Sequence, residues 1–137
     1  MINPVVQEKS EPYRLLLVDD EPSITQSFEL GLKQFGFEID SFNNPLSALA
    51  AYSPGKYDLL MFDIRMPIMN GFELYKEIRK LDDQAKVCFI TAYEIDDDFK
   101  KAFPSMTLRH LIKKPISLED LAHELKDKIS ENYQVIE

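Results

Sequence analysis

Apolar and polar positions follow two different periods along this chain. YRLLLVDD (13–20), YDLLMF (57–62) and KVCFITA (86–92) are continuous apolar runs of strand length, the pattern of strands buried on both faces. FEIDSF (37–42) alternates, as a strand buried on one face does, and LRHLI (108–112) reads as a fifth, short strand. Between these runs the spacing changes to three and four. Ile24, Phe28, Leu32 and Phe35 line one face of a helix over 21–36, where Pro22 suits the first turn and Gly36 a stop. PLSALAAY (45–52) is a short helix closed by Pro54-Gly55, and GFELYKEIRKL (71–81) puts Leu74, Ile78 and Leu81 on one face. EIDDDFKKAF (94–103) reads as a short, weakly periodic helix stopped by Pro104. In SLEDLAHELKDKI (117–129), Ser117 and Asp120 resemble a capping box, with Leu118, Leu121, Leu125 and Ile129 as the apolar stripe.

Five strands, each followed by a helix, predict an α/β fold: a parallel sheet with helices on both faces and right-handed crossovers. For five strands the common doubly wound, flavodoxin-like order is 2-1-3-4-5. With 137 residues there is sequence for one domain, expected over 13–131, with a flexible arm over 1–12 and a tail over 132–137. A net charge of −8 argues against direct binding to nucleic acid or anionic lipid, whose phosphates it repels. The single cysteine, Cys88, lies inside the apolar VCFIT and forms no internal disulfide, which suits a reducing cytoplasm. No run is long enough to span a bilayer, and the first residues lack the basic start and apolar stretch of a signal peptide.

In such a sheet, sites form beyond the carboxyl ends of the strands, near the point where strand order reverses. There stand Asp19, Asp20 and Glu21 after the first strand, Asp63 after the third, Thr91 after the fourth and Lys114 after the fifth. Taken singly these have plain readings: acids that cap the first helix, a turn aspartate, a strand-end hydroxyl, a solvated lysine. Taken together they form a costly cluster, because neighbouring carboxylates raise one another's pKa. A divalent cation and an ammonium group relieve that cost, and hard oxygen ligands at a loop edge suit Mg²⁺ with positions left open for phosphate. The set fits phosphoryl transfer to a carboxylate. His110 and His123 are too few and too isolated for a metal site.

LLLVDDEP, FDIRMPIMNG, ITA and KKP, in this order and at these separations, resemble the receiver domain of two-component response regulators, over roughly residues 13 to 131. The resemblance implies that Asp63 accepts a phosphoryl group from a sensor histidine kinase or phosphotransfer protein. It implies that Mg²⁺ (or Mn²⁺) is held by Asp19, Asp20, Asp63 and the backbone carbonyl of Arg65. Thr91 matches the switch hydroxyl and Lys114 the pairing lysine, with a cis bond to Pro115. It further implies a change in the α4–β5–α5 face that controls a protein target, slow autodephosphorylation without other turnover, and a homodimer that forms on phosphorylation. Two departures stand out. Leu111 occupies the position of the usual aromatic switch, and AFPSMTLRHL lacks the Gly-Ala pair usual before the fifth strand, with Pro104 stiffening it, so a short or irregular fourth helix is expected. The bulky Arg65 and Tyr93 occupy the positions that flank the path of attacking water, so they are expected to prolong the phosphorylated state. An aspartate-nucleophile phosphatase wants a second Asp where Arg65 stands, and an FMN carrier wants hydroxyls and glycine where DDEPS stands. The remaining alternative is a degenerate receiver that binds partners without phosphorylation.

Overall fold

The computed structural model describes residues 11–94, 97–102, 104, 108–130 and 133–136. Strands β1 (Tyr13–Val18), β2 (Phe37–Phe42), β3 (Leu59–Asp63), β4 (Val87–Thr91) and β5 (Leu111–Lys113) alternate with helices α1 (Pro22–Lys33), α2 (Pro45–Ala51), α3 (Gly71–Leu81), α4 (Asp97–Ala102) and α5 (Leu118–Ile129). The sheet is parallel, in the order β2-β1-β3-β4-β5. Register places Val18 beside Phe62 and Asp63 beside Ile90, so the ends of β1, β3 and β4 lie side by side.

The all-apolar runs became the central strands because both faces are covered. Leu16, Val18, Leu60, Phe62, Val87 and Phe89 pack against α2 and α3 through Ala48, Phe72, Tyr75 and Ile78. Leu15, Leu17, Leu59, Met61, Cys88 and Ile90 face α1 and α5 through Leu32, Leu121, Ala122 and Leu125. Successive side chains thus enter opposite cores, as the period of a strand requires. Cys88 is fully buried, and burial pushes its thiol up to about 12, which makes it an inert core residue. The alternating β2 lies at the sheet edge, half-buried over most of its length.

Helix starts follow local chemistry. Asn44 Oδ1 accepts from Leu46 N at 2.8 Å, and Ser117 Oγ accepts from Asp120 N at 3.1 Å. A reciprocal capping box forms at α3, where Asn70 Oδ1 accepts from Glu73 N and Glu73 Oε1 accepts from Asn70 N.

Two expectations shift. The stretch 108–112 is not one strand: Leu108–His110 is a 3₁₀ turn, and β5 begins only at Leu111, opposite Phe89. Its neighbour position along the start of β4 is taken by Tyr133, whose hydroxyl donates to Val87 O at 2.6 Å. The short helix expected within 94–103 is present over six residues, with residues 95, 96 and 103 outside those described. Residues 1–10 of the expected arm also lie outside them. In the expected tail, Tyr133 and Ile136 are 2% and 1% exposed and belong to the two cores. No helix among the described residues is long and apolar enough to cross a membrane.

Candidate functional site

Asp19 and Asp20 follow β1 directly, and Asp63 ends β3. Because these strands are neighbours, the three side chains meet although they come from distant stretches of chain: each offers a carboxylate oxygen, all within 4.8 Å of one another. Asp19 is fully buried and Asp63 is 7% exposed. Asp19 is held from several sides. Its Oδ1 accepts from Glu21 N at 3.0 Å, and its main-chain carbonyl accepts from Asn43 Nδ2 at 2.8 Å. Asn43 also donates to Thr25 Oγ1, whose hydroxyl donates to Pro22 O, so one side chain ties the cup to the first turn of α1.

Lys114 brings the positive charge. Its Nζ lies 3.0 Å from Asp19 Oδ2 and 3.9 Å from Asp63 Oδ2, and its backbone N–H donates to Thr91 O at 2.9 Å. Its peptide bond to Pro115 is cis. The adjacent Lys113 points elsewhere and pairs with Glu94. Thr91 is 2% exposed and sits one residue beyond the register partner of Asp63; its hydroxyl accepts from Tyr93 N at 3.0 Å. Burial and then the charge of Asp19 push Asp63 up to about 6, against the opposing pull of Lys114; Asp20 adds to the rise, and a hydrogen bond from the Arg65 main chain offsets part of it. Glu21 stands just outside as the exposed residue before α1, and Leu111 is half-buried against the α3-side core.

The donor set fits a hard divalent cation. All three side chains offer oxygen, with no sulfur or imidazole among them. Three carboxylates against one ammonium leave two negative charges, the charge that one such cation neutralises.

The sequence alone assigns no role to Gly71 and Ile68, both within FDIRMPIMNG. Gly71 is required by close approach: a Cβ there would lie 2.4 Å from Asp63 O. Its N–H donates to Ile64 O at 3.0 Å and closes the loop that follows the aspartate. Within that loop Ile68, a β-branched residue, has φ 75° and is 72% exposed, so the site carries local backbone strain. Arg65 and Tyr93, named together from the sequence, are in contact: the guanidinium lies over the Tyr93 ring, 4.6 Å from its centroid.

A five-stranded doubly wound sheet with an acidic cup and a lysine at its carboxyl edge defines a class of protein, and sequence comparison agrees with it. The model of the response regulator receiver domain matches residues 15–126, and the chain belongs to that family. Receivers of two-component systems are phosphorylation switches that work with histidine kinases and downstream effectors, and they generally bind Mg²⁺ at an acidic pocket. The chain is 34% identical over 119 residues to the "Probable transcriptional regulator ycf29" of Porphyra purpurea, covering 85% of this chain and 56% of that protein. It is 30% identical to the "Transcriptional regulatory protein PcoR" of Escherichia coli, covering 82% of this chain and 50% of that one. It thus spans about half the length of the curated relatives it matches. Among solved structures, the non-phosphorylated HemR receiver domain from Leptospira biflexa is similar at a TM-score of 0.73 and 26% identity, covering 86% of this chain and 94% of that one. A CheY-like receiver domain protein from Methanospirillum hungatei is similar at a TM-score of 0.70 and 26% identity, covering 87% and 94%.

Proposed function

We propose that this protein is a phospho-accepting switch in which Asp63 takes a phosphoryl group from the phosphohistidine of a sensor kinase or phosphotransfer protein. The observation that carries the reading is the convergence of Asp19, Asp20 and Asp63 within 4.8 Å, with the Lys114 ammonium 3.0 Å from Asp19. Asp19, Asp20, Asp63 and the Arg65 carbonyl hold Mg²⁺ or Mn²⁺, which when bound neutralises the cup and the incoming phosphoryl charge. A carboxylate oxygen of Asp63 attacks phosphorus in line. The P–N bond breaks, its electron pair stays on the departing imidazole, and an acyl phosphate remains on Asp63. The new negative charge draws the Lys114 ammonium away from Asp19, and Thr91 Oγ1, now accepting from Tyr93 N, turns to donate to a phosphoryl oxygen. Thr91 ends β4, which leads toward α4, and Lys114 directly follows β5, so the shift alters the α4–β5–α5 face presented to a downstream protein target and, in the phosphorylated state, to a second copy. Because Leu111 is aliphatic, that change proceeds without a rotating aromatic ring at this position. Attack of water on the acyl phosphate slowly resets the switch. The reading assigns the receiver to residues 13–131, with Tyr133 and Ile136 packed into its two cores, and the protein to the cytoplasm.

The test is intact-mass measurement after incubation with acetyl phosphate and Mg²⁺. One added phosphate, absent in Asp63→Asn, is expected. No gain from that donor or from any cognate kinase rejects the switch and leaves the phosphorylation-independent binding module.

A further inference from the structure

Residues 133–136 leave the α5 side of the sheet. Tyr133 packs in the core beneath α1 and α5, whereas Ile136 packs in the core beneath α2 and α3. Four residues therefore pass under the amino ends of β4 and β5, from one face to the other. Polar contacts fasten them. Carbonyls alternate sides along a strand; Lys86 O accepts from Leu60 N on β3, so Val87 O faces the β5 side. There β5 has not yet begun, and the Tyr133 hydroxyl fills the open ladder position. His110 Nε2 lies 3.1 Å from Gln134 O, and the His110 and Tyr133 ring centroids are 5.2 Å apart. On the other face, Ile136 O accepts from Tyr75 Oη at 3.3 Å and from the Arg79 guanidinium.

We propose that residues 133–136 form a strap that opposes the phosphorylated arrangement of the acidic cup and loosens when Asp63 is phosphorylated. The proposal rests on the reading of Asp63 as the acceptor. The link is β5. His110 and Lys114 are separated by this strand alone, about 13 Å at the rise of extended chain. An acyl phosphate draws the Lys114 ammonium toward Asp63. Three register pairs, Leu111–Lys113, and the Lys114 N–H to Thr91 O are what hold β5 against β4 among the described residues. A displacement at one end therefore reaches His110 at the other, where the strap joins His110 to Val87 and, beyond it, to α3. The strap resists that displacement, and by reciprocity the displacement weakens the strap.

Hydrogen exchange on the full chain tests this, with and without acetyl phosphate and Mg²⁺, while intact mass reads the phosphorylated fraction. In phosphorylated protein the amides of 133–136 are expected to exchange about fivefold faster or more, with those of β1 and β3 unchanged. Tyr133→Phe keeps the ring and deletes the hydroxyl; it is expected to speed phosphorylation by acetyl phosphate. Gln134→Ala keeps the carbonyl and is expected to leave the rate as it was. Phosphorylated protein with unchanged exchange over 133–136 overturns the strap and leaves the role of Asp63 standing. So does a Tyr133→Phe protein that melts earlier but phosphorylates at the original rate, since the segment is then passive core. Absence of any phosphate gain overturns the role of Asp63 and the strap with it.

Discussion

The two ends of the sheet are built on opposite principles. At the carboxyl edge, like charges crowd together: Asp19, Asp20 and Asp63 share one pocket with a single ammonium, and the loop beyond them holds Ile68 in a left-handed conformation. At the amino edge, buried polar groups among the described residues find partners, with Arg79 Nε the exception. Tyr133 donates to Val87 O, Tyr75 to Ala85 O at 2.9 Å, and Ile136 closes the core beneath them. One edge stores unfavourable energy that a cation or a phosphoryl group can release; the other supplies cohesion. Removing a charge at the carboxyl edge should therefore stabilise the fold, whereas removing a contact at the amino edge should weaken it.

The largest effect is expected at the amino edge. Ile136→Ala removes a side chain that is 1% exposed and leaves a cavity against Tyr75 and Ile78, costing about 2–5 kcal/mol. Urea unfolding reads this as a lower midpoint with little change in slope. An unchanged midpoint would show that the residue adds nothing to the cohesion of that end. Next comes Gly71→Ala, at the carboxyl edge. Its Cβ meets the main chain of Asp63 and Ile64, which cannot step aside as a flexible side chain would. The expected cost is about 1–3 kcal/mol, together with slower phosphorylation, because the atom displaced belongs to the acceptor residue.

Asp63→Asn should do the reverse and stabilise the metal-free protein by about 1–2 kcal/mol, since it removes one of three crowded charges. Mg²⁺ is then expected to raise the melting temperature of the wild type more than that of the variant. A metal-free Asp63→Asn that melts lower than the wild type would mean that the cup is not under charge strain. Ile68→Asn should add about 1 kcal/mol, because asparagine tolerates positive φ where a β-branched side chain does not.

The contrast also explains what the sequence made legible. The fold was written in runs such as LLLV and VCFIT, whose length and lack of alternation mark strands covered on both faces. The cup was legible because its members are acids at strand ends, and the topology brings strand ends together. The need for Gly71 was hidden, since the backbone approach that demands it depends on how the β3–α3 loop closes. The role of 133–136 was hidden too. Four residues are too few to show a period, and the hydrogen-bond partners of the Tyr133 hydroxyl and the Ile136 carbonyl lie more than forty residues away in the chain. That same contact explains the misplaced start of β5. LRHLI reads as well for a strand as for a turn, and the choice is made by Tyr133 occupying the position beside Val87.

The smallest effect on stability, and the most informative for timing, concerns Arg65 and Tyr93. Their stacked pair lies at the rim of the cup, with Tyr93 58% exposed, so its worth to the fold is below about 1 kcal/mol. It also joins the loop after Asp63 to the segment after Thr91, the two stretches between which water must reach an acyl phosphate. Arg65→Ala leaves the main-chain carbonyl in place, so metal binding should persist while the cover is lost. Tyr93→Ala removes the same cover from the other side and leaves its N–H to Thr91 Oγ1 intact. Each variant is expected to lose phosphate several-fold faster than the wild type, and the double variant no faster than the quicker single one, because either change breaks the same pair. Loss of phosphate is followed by intact mass after the donor is removed. Equal rates in all four proteins would reject the cover, and fully multiplicative rates in the double variant would show that the two side chains act separately.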